Sequence, residues 1–295
     1  MKRLLITGEN SYIGESLKQY LTYEKYADFY EVHTQDMRKD SWRNADFSGY
    51  DTVFHVAGIA HVDANPEDTE VRKRYILVNC ELALETASKA KAEGCGQFIY
   101  MSSMIVYGDS APVGKKKMIH ADTLPKPANC YGESKLLAEE GLKKLENDSF
   151  KIVILRPPMI YGSGSKGNYP RLSKLARKTF FFPNLQNERS MLYIENLCEF
   201  VRLMIENREQ GTFFPQNQEY VCTSQMVGQI AALYGKKIWM PKVFNPLIGL
   251  LGQFTGIIAK IFGNLTYDKS MSVYPKGSYQ VKDFQQSIRI TEGKG

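Results

Sequence analysis

A tyrosine and a lysine stand four residues apart in the segment Tyr131-Gly132-Glu133-Ser134-Lys135. This spacing places the two side chains on one face of a helix. A phenol with a pKa of about 10 is a poor base at neutral pH, but a neighbouring ammonium group favours the phenolate. Such a pair can remove a proton from an alcohol or return one to a ketone. The alternative is an amphipathic helix that places lysine after tyrosine by chance, although no other Tyr-x-x-x-Lys occurs in the chain.

Two serines follow a short apolar run that predicts a buried strand at residues 97–102. Ligands of open parallel sheets bind at the carboxyl ends of the strands, so Ser102 and Ser103 lie where a reacting hydroxyl group can be held. Serines at a strand end are commonly only loop residues. The serines and the tyrosine–lysine helix belong to the same predicted sheet and its flanking helices, and their occurrence together favours a functional site.

The first predicted strand is followed by a turn that contains two glycines. Its sequence is Thr7-Gly8-Glu9-Asn10-Ser11-Tyr12-Ile13-Gly14. Glycines between a strand and a helix allow the backbone to approach a dinucleotide pyrophosphate at the helix N-terminus. Ser11 occupies the place of the middle glycine, where its hydroxyl can donate to phosphate but loses the backbone freedom of glycine. The same stretch is compatible with an ordinary strand-to-helix turn.

Alternating short apolar runs and helical stretches predict an α/β fold with a doubly wound parallel sheet. Strands are predicted at residues 3–7, 29–34, 52–56, 97–102 and 151–155. Helices are predicted from the first turn to about residue 20, from about 66 to 94 with Asn65 as the cap, and at 128–145. Beyond residue 160 the alternation fails. Helices near 172–178, 195–207, 224–234 and 246–262 predict a smaller, mostly helical lobe.

The composition is that of an ordinary globular protein. Its 295 residues are 43% hydrophobic and 24% charged, which excludes disordered, collagenous and disulfide-scaffold classes. The net charge of +6 arises from 38 basic and 32 acidic residues. This mild excess favours anionic ligands without the basic stripe expected of a nucleic-acid-binding protein.

The cysteines and the apolar segments indicate the kind of cellular compartment in which the protein is expected. The five cysteines are odd in number, widely spaced and without a Cys-x-x-Cys motif, which predicts a reducing compartment. The apolar run after Lys2-Arg3 is too short for a signal peptide, so we expect no cleaved leader. Residues 246–265 are nearly all apolar but are interrupted by several glycines and Lys260. A buried or interfacial helix pair is therefore favoured over a membrane span.

The chain resembles the extended short-chain dehydrogenase/reductases, a family of NAD-dependent nucleotide-sugar epimerases, dehydratases and ketoreductases. The resemblance covers about residues 3–200 and lies in six motifs in the family's order. They are the 7–14 turn, Phe54-His55-Val56-Ala57-Gly58, Ser102-Ser103-Met104-Ile105-Val106-Tyr107-Gly108, the Tyr131/Lys135 pair, Arg156-Pro157-Pro158-Met159-Ile160-Tyr161-Gly162 and Arg189-Ser190-Met191-Leu192-Tyr193-Ile194-Glu195-Asn196-Leu197. It implies a Rossmann-type NAD-binding domain at 1–162 with about 188–208, and a substrate-binding lobe at 163–187 and 209–295.

The resemblance implies a role for each residue that matches a motif. Ser103 matches the hydroxyl that binds the reacting oxygen, Tyr131 the acid/base, and Lys135 the residue that holds the nicotinamide ribose and tunes the tyrosine. The other residues implied in cofactor binding are Gly8, Ser11, Tyr12, Ile13, Gly14, Ala57, Gly58 and Pro157. Asn168 and Arg189 match residues that contact the phosphates of the nucleotide sugar.

The adenosine side departs from the family pattern. The distance from Gly8 to His55 is short, as if one strand–helix unit were missing. Asp36 is our candidate for the acid that binds the adenosine ribose, and Asp36-Met37 resembles the family's pair beside adenine. Arg38 can also meet a 2′-phosphate, so both NAD and NADP remain candidates.

Two further departures bear on the reaction. Met104-Ile105 stand where the family's 4,6-dehydratases carry an Asp-Glu pair, which disfavours dehydration. Met159 stands where hexose 4-epimerases often present an asparagine, and the surrounding Arg-Pro-Pro motif resembles a subgroup of 4-epimerases and 4-ketoreductases. The resemblance implies an NAD-dependent epimerase acting at C4 of a UDP-hexose or UDP-N-acetylhexosamine. The alternatives are an NAD(P)H-dependent 4-ketoreductase of a UDP-4-keto-6-deoxy sugar and a non-catalytic dinucleotide-binding regulator.

The remaining candidates are interpreted as structural. His55 and His61 are expected to be loop or packing residues, and no metal is expected, because no carboxylate or cysteine recurs at ligand spacing. The run at 115–117 predicts a solvated lysine loop, and the aromatic run at 180–183 predicts lobe core or a pocket wall. We expect a cytoplasmic protein with a UDP-linked sugar as ligand, without nucleic acid or a transmembrane span, and leave a homodimer open.

Overall fold

A six-stranded parallel sheet forms the centre of the computed structural model, which describes residues 1–23, 25–60, 68–243, 245–246, 248 and 256–294. The strands of the chain are β1 (Lys2–Thr7), β2 (Tyr30–Gln35), β3 (Thr52–His55), β4 (Gln97–Met101), β5 (Met118–Ile119), β6 (Lys151–Leu155), β7 (Met159–Tyr161), β8 (Met191–Tyr193), β9 (Gly211–Phe213) and β10 (Thr266–Tyr267). The central sheet has the order β2-β1-β3-β4-β6-β9. The doubly wound α/β prediction is confirmed.

Helices lie on both faces of this sheet and in the lobe. They are α1 (Tyr12–Thr22), α2 (Thr69–Tyr75), α3 (Leu82–Ala92), α4 (Cys130–Lys143), α5 (Asn168–Lys178), α6 (Ile194–Glu206), α7 (Thr223–Leu233), α8 (Gly256–Phe262) and α9 (Phe284–Thr291). A π-helical turn at Ile76–Glu81 joins α2 to α3. Short 3₁₀ turns occur at Asp40–Asn44, Met104–Tyr107 and Lys269–Ser272.

Alternate residues of the strands divide the core into two clusters. Leu4 and Ile6 of β1 pack on one face of the sheet with residues of α1 and α6, whereas Leu5 packs on the other face with α3 and α4. Every residue of β4 is buried. A strand that is covered on both faces consists of a continuous run of apolar residues. For this reason these strands could be predicted from the sequence.

The connection between the second and third strands is short. Residues 36–51 contain a single 3₁₀ turn, and within the described residues β2 pairs with β1 alone. β2 is therefore an edge strand, which confirms that a strand–helix unit is missing beside it. The carboxyl end of β2 remains next to the β1 turn, because Gly8 N donates to the carbonyl of Gln35 at 2.9 Å.

Several element boundaries differ from the predictions. The sixth strand, β9, lies inside the 209–295 range expected for the lobe; with three residues beginning at glycine, it is too short to show a pattern. The long second helix begins at Thr69 with Asp68 as its cap, and the expected cap Asn65 lies outside the described residues. Helix α5 starts at Asn168, four residues before the prediction, since Pro170 is tolerated in a first turn.

Among the described residues, the lobe includes helices α5, α7, α8 and α9 and strand β10. Two small parallel sheets lie outside the central one, and they pair β10 with β5 and β7 with β8. Of the predicted 246–262 helices, residues 246 and 248 and helix α8 are described. Among the described residues, no helix combines the length and the apolar character needed to cross a membrane.

The lysine run at 115–117 and the aromatic run at 180–183 each contain residues that differ in exposure. Lys115 and Lys116 are exposed as expected, whereas Lys117 is half-buried and its Nζ donates to the carbonyls of Tyr107 and Asp109. Of the aromatic run, Phe182 is in the core, but Phe180 is exposed. The prediction that this run is core or pocket wall is wrong for Phe180.

Candidate active site

The turn after β1 has a conformation that requires glycine. Gly8 has a φ of +112°, and a Cβ atom there would lie 2.8 Å from the main-chain nitrogen of Ala57. Ala57 N donates to the carbonyl of Thr7 at 2.9 Å, which fixes the loop after β3 against this turn. The first helix begins at once beyond it, so its N-terminus faces the space above the sheet edge.

Gly8→Ala is expected to lower the free energy of unfolding by more than the roughly 1–3 kcal/mol of a strained backbone, because the added Cβ also meets Ala57. Gly94→Ala is the matched control, since Gly94 has a φ of +86° but no atom within 4 Å of an added Cβ. Urea denaturation measures both variants. Equal losses in the two would contradict the close approach at Gly8.

Ser11 has a structural role in this turn. It is the N-cap of α1, and its Oγ accepts from Gly14 N at 3.2 Å. An added Cβ at Gly14 would lie 2.6 Å from that Oγ and 3.1 Å from Ile6. The hydroxyl proton of Ser11 is not used by this bond. Tyr12 and Ile13 form the first turn of the helix, and the Tyr12 hydroxyl is buried with no hydrogen-bond partner in the described part of the chain.

Ser103 and Tyr131 meet at the carboxyl end of β4. Ser103 caps the 3₁₀ turn that follows the strand, and its Oγ accepts from Ile105 N at 3.2 Å. Tyr131 lies in the first turn of α4, which Asn129 caps. Burial raises the pKa of Tyr131 to about 12, while a hydrogen bond from Ser103 opposes this rise. The two residues singled out from separate motifs therefore lie close enough for Ser103 to influence Tyr131.

Lys135 lies one turn further along α4 and is buried. Its Nζ donates to the carbonyl of Met101 at 2.8 Å and lies 4.7 Å from the ring centre of Tyr100. Burial lowers the pKa of Lys135 to about 8. Ser103 and Tyr75, rather than Lys135, are the neighbours that shift the pKa of Tyr131. The ammonium group of Lys135 is held by the carbonyl at the end of β4.

A buried asparagine of the π-helical turn joins these parts, and the sequence reasoning missed it. Asn79 Oδ1 accepts from Ile59 N at 2.8 Å, and its Nδ2 donates to Ser134 Oγ at 3.0 Å. Its carbonyl accepts from the Tyr100 hydroxyl. An added Cβ at Gly58 would lie 2.9 Å from Asn79 Oδ1 and 3.4 Å from the Lys135 amine. π turns are frequent at functional sites, but no sequence pattern marks them.

A buried ion pair lies behind the site. Glu139 and Arg156 are 0% and 6% exposed, and Arg156 Nε and Nη2 donate to the Glu139 carboxylate. Ser102 Oγ donates to the same carboxylate, and Arg156 Nη1 donates to the Tyr107 hydroxyl. Glu139 was missed, although its position four residues after Lys135 places it on the same helix face. The carboxylate ties α4 to the ends of β4 and β6.

His55 is a packing residue, as expected. It is fully buried, stacks between Phe98 and Tyr100, and shares a hydrogen bond of 2.7 Å between its Nδ1 and Thr7 Oγ1. Burial lowers the pKa of His55 to about 3, and the charge of Lys135 acts in the same direction. The imidazole is therefore neutral in the folded protein. His61 lies outside the described residues.

The lowered pKa of His55 predicts acid sensitivity. The unfolded chain takes up this proton below about pH 6.5, whereas the folded chain does so only near pH 3. Stability is therefore lost as the pH falls through this window, by about 1.4 kcal/mol per pH unit. We expect His55→Gln to reduce the slope of unfolding free energy against pH. The same slope in the wild type and His55→Gln would contradict this assignment.

The adenosine side contains a charged pair directly after β2. Asp36 Oδ1 accepts from Arg38 Nε at 2.8 Å, and Asp36 Oδ2 accepts from Arg38 Nη2 at 2.9 Å. The guanidinium group lowers the pKa of Asp36 to about 2. Met37 between them is buried in the same cluster as Ala57. Pro157 lies across the sheet edge, where its carbonyl accepts from Met104 N at 2.9 Å.

Of the two residues assigned to substrate phosphates, Asn168 lies in the lobe, and Arg189 lies at the start of the 188–208 segment. Arg189 Nη1 donates to the carbonyl of Lys260, and burial lowers the pKa of Arg189. In the described chain no carboxylate pairs with this guanidinium group. Tyr267 connects this region to the sheet, because its N–H donates to Ser190 Oγ and its hydroxyl donates to the carbonyl of Arg156. Asn168 is the exposed first residue of α5.

The match to one family covers most of the chain. The model of the NAD-dependent epimerase/dehydratase family matches residues 4–215. The chain belongs to this family. It is therefore an enzyme of the epimerase/dehydratase class, and the match spans the turn after β1, the serine strand and the tyrosine–lysine helix.

Individual relatives resemble the chain over nearly its full length. A UDP-glucose 4-epimerase of Vibrio cholerae is 29% identical and aligns with 98% of this chain and 94% of its own. An N-acetyl-alpha-D-glucosaminyl-diphospho-ditrans,octacis-undecaprenol 4-epimerase of Escherichia coli O157:H7 is 26% identical over 95% of this chain and 85% of its own. The solved structure of a UDP-glucuronic acid 4-epimerase from Bacillus cereus with NAD has a TM-score of 0.72 at 18% identity, over 99% of this chain and 96% of that one.

The residues at the sheet edge fit the cofactor of this family. The Gly8 turn leaves a cradle that a Cβ atom would fill, and it faces the N-terminus of α1. Lys135 lies behind Gly58 on the opposite side of the cradle. Backbone N–H groups and one buried cation are the donors that a dinucleotide pyrophosphate and ribose require.

Proposed function

We propose that this enzyme is an NAD-dependent epimerase acting at C4 of a UDP-hexose or UDP-N-acetylhexosamine through a transient 4-keto sugar. The observation that carries the proposal is the placement of Ser103, at the carboxyl end of β4, against the first turn of α4 that holds Tyr131, where Ser103 acts on the pKa of Tyr131. It places a proton carrier and a second hydroxyl beside the cradle at Gly8. A non-catalytic regulator would not require this pair.

Residues of this chain would transfer the proton of the C4 hydroxyl and stabilise the charge on its oxygen. Tyr131, as phenolate, removes the proton of the C4 hydroxyl while the C4–H bond breaks, and the C4 carbon becomes a ketone. Ser103 donates to the C4 oxygen and stabilises its charge. Lys135 holds the ribose of the cofactor and keeps the helix against β4. The chemistry that bound NAD would supply at C4 is reversible hydride transfer.

Arg189 is the proposed contact for the diphosphate of the substrate. A half-buried guanidinium group without a carboxylate partner among the described residues carries an uncompensated charge. An anionic ligand compensates it, and a diphosphate matches the fork of donors on arginine. Asn168 is the second proposed phosphate contact, from the first turn of α5.

The residues at the dehydratase position support this choice of reaction. Met104 is buried and Ile105 is half-buried, and neither side chain can transfer a proton. Elimination of water from C5 and C6 of a sugar requires an acid and a base at this place. Epimerisation at C4 requires no acid or base at these two positions.

The test is product analysis with four substrates. These are UDP-glucose, UDP-N-acetylglucosamine, a polyprenyl-diphosphate N-acetylglucosamine, as in the name of the E. coli relative, and a UDP-4-keto-6-deoxy sugar, each with and without NADPH. We expect a UDP-sugar to equilibrate with its C4 epimer without added reduced cofactor. Arg189→Met is expected to raise KM with little change in kcat. Conversion of the keto sugar alone, and only with NADPH, would overturn the epimerase proposal.

Arg38 favours a second candidate, a 4-ketoreductase. Its guanidinium group is 72% exposed and lies beside Asp36, where the 2′-phosphate of NADP would bind. In that case Arg38→Ala weakens NADPH binding and leaves NADH binding unchanged. If Asp36 instead binds the ribose hydroxyls of NAD, Asp36→Ala weakens NADH binding.

We also propose a homodimer and a cytoplasmic location. Leu77 and Leu137 are 58% and 37% exposed on the adjacent π turn and α4, and a second copy of these helices would cover them. Leu137→Glu then produces monomers in sedimentation velocity, whereas a wild-type monomer would contradict the dimer. The cytoplasm fits the odd number and wide spacing of the cysteines.

A further inference from the structure

Two segments of the lobe form a short ribbon on its surface. Trp239 N donates to the carbonyl of Phe180 at 2.9 Å, and Phe182 N donates to the carbonyl of Trp239 at 3.1 Å. Lys236 Nζ lies 5.7 Å from the ring centre of Phe180 and donates to the carbonyl of Arg177. These bonds fix the chain around residue 180 beside the chain around residue 239.

Large apolar side chains project from this ribbon into solvent. Phe180 is 80% exposed, Trp239 66% and Val243 72%. Leu175 on the neighbouring helix α5 is 41% exposed. Single exposed apolar residues are ordinary, but a group of large ones on adjoining segments marks an interaction surface.

Both segments are rich in basic side chains. Their cations are Lys174, Arg177, Lys178, Lys236, Lys237 and Lys242, and one carboxylate, that of Glu292, lies beside them, where it accepts from Ser173 Oγ and the Tyr234 hydroxyl. We call these six cations, together with Leu175, Phe180, Trp239 and Val243, the basic aromatic patch. The sequence contains no aspartate or glutamate at 149–187 or at 220–267, so neither segment of the patch carries an acid of its own.

The positive charge of the basic aromatic patch determines which partner can bind to it. A second copy of this chain would bring the same cations against the patch, and like charges oppose that contact. Aromatic and aliphatic side chains surrounded by lysine and arginine are the usual composition of protein surfaces that insert into the headgroup region of anionic bilayers. Each cation near such a surface contributes about fivefold in affinity.

The patch is connected to the proposed substrate site. Helix α5 begins at Asn168 and ends at Lys178 in the patch, a length of roughly 16 Å. The chain that follows Val243 is apolar in sequence and reaches Lys260, whose carbonyl binds Arg189. A surface on which the patch rests would therefore lie within about three helical turns of Asn168.

We propose that the basic aromatic patch docks this enzyme on an anionic lipid bilayer. Phe180 and Trp239 enter the headgroup layer, and the surrounding lysines and arginines bind lipid phosphates. This docking is a property of the lobe surface and goes beyond the proposed reaction. It holds whichever sugar the enzyme converts.

Vesicle co-sedimentation of the full chain tests the proposal. We expect the protein to sediment with vesicles of phosphatidylcholine mixed with phosphatidylglycerol, to remain in solution with phosphatidylcholine alone, and to be released by salt. The fluorescence of Trp239 shifts to the blue on binding, while Trp42, which is 2% exposed, contributes no change. Absence of sedimentation with the anionic vesicles at low salt would overturn the proposal.

Matched variants separate the patch from general charge. Lys237→Gln/Lys242→Gln is expected to weaken vesicle binding by about tenfold or more, and Phe180→Ser/Trp239→Ser to abolish it. The controls are Lys115→Gln/Lys116→Gln and Leu124→Ser, which change exposed residues elsewhere. Thermal unfolding confirms that each variant is folded. Equal loss in the control variants, or a dimer that Trp239→Ser converts to monomers, would assign the patch another role.

Discussion

Tyr131→Phe is expected to lower kcat by about 10²–10⁴-fold, because it removes the one atom that carries the C4 proton. The ring, its packing 6.0 Å from Tyr75, and the cradle at Gly8 remain. Dinucleotide binding is therefore expected to stay within a few-fold of the wild type. Steady-state kinetics with the epimerised sugar and a separate NAD titration measure the two effects.

Tyr75→Phe is the matched control for this change. It removes a second phenol whose ring faces Tyr131 and whose charge would raise the pKa of Tyr131. Because Tyr75 carries no proton in the mechanism, we expect turnover close to the wild type. Full activity of Tyr131→Phe would remove the basis of the proposed reaction. Equal losses in both variants would point to disturbed packing instead.

The pH dependence provides a second readout for Tyr131. Burial raises the pKa of Tyr131 to about 12, and the phenolate is the reactive form. The value of kcat/KM should therefore rise with pH through the neutral range. An activity that falls steadily from pH 6 to pH 9 would show that another group takes the proton.

Glu139→Gln is expected to cost about 3–5 kcal/mol of unfolding free energy, since it leaves the buried Arg156 without its carboxylate. Glu139→Leu/Arg156→Met removes both charges and is expected to be less harmful than either single change, because no unpaired ion remains. Urea denaturation of Glu139→Leu, Arg156→Met and the double variant gives the coupling energy.

An exposed ion pair is the control for the buried one. Arg43 and Glu85 are 47% and 50% exposed, and Glu85→Gln is expected to cost less than about 1 kcal/mol. The Glu139 double variant is expected to be stable but slow, because Ser102 loses the acceptor that holds the chain next to Ser103. Similar costs for Glu139→Gln and Glu85→Gln would contradict a buried, structural pair.

The strands of the fold could be predicted because burial on both faces makes each one a continuous apolar run. Five were located within a residue or so at each end, and the short link before β3 was recognised from the spacing of Gly8 and His55. Strand β9 was missed, since three residues carry too little pattern. Its place in the sheet depends on β6, which is far away in the sequence.

The candidate site was predictable where chemistry follows from spacing. Tyr131 and Lys135 lie on one helix, and Ser103 follows a strand that ends beside them. Asn79 was not predictable, because its function in the structure depends on a π turn and on partners from three other segments. The environment of Lys135 was also missed, since the carbonyl of Met101 that holds its amine is set by tertiary packing.

The missing strand–helix unit leaves the backbone of β2 unpaired on its outer side within the described chain. Such an edge can add a strand from another molecule and begin aggregation. Three features of β2 oppose this: its length of six residues, the Glu31 carboxylate held by Arg3, and the polar His33. In this shortened sheet, charged side chains on β2 protect the edge that a further strand would otherwise cover. Neutralising Glu31 would therefore lower the colloidal stability of the protein before it changed catalysis.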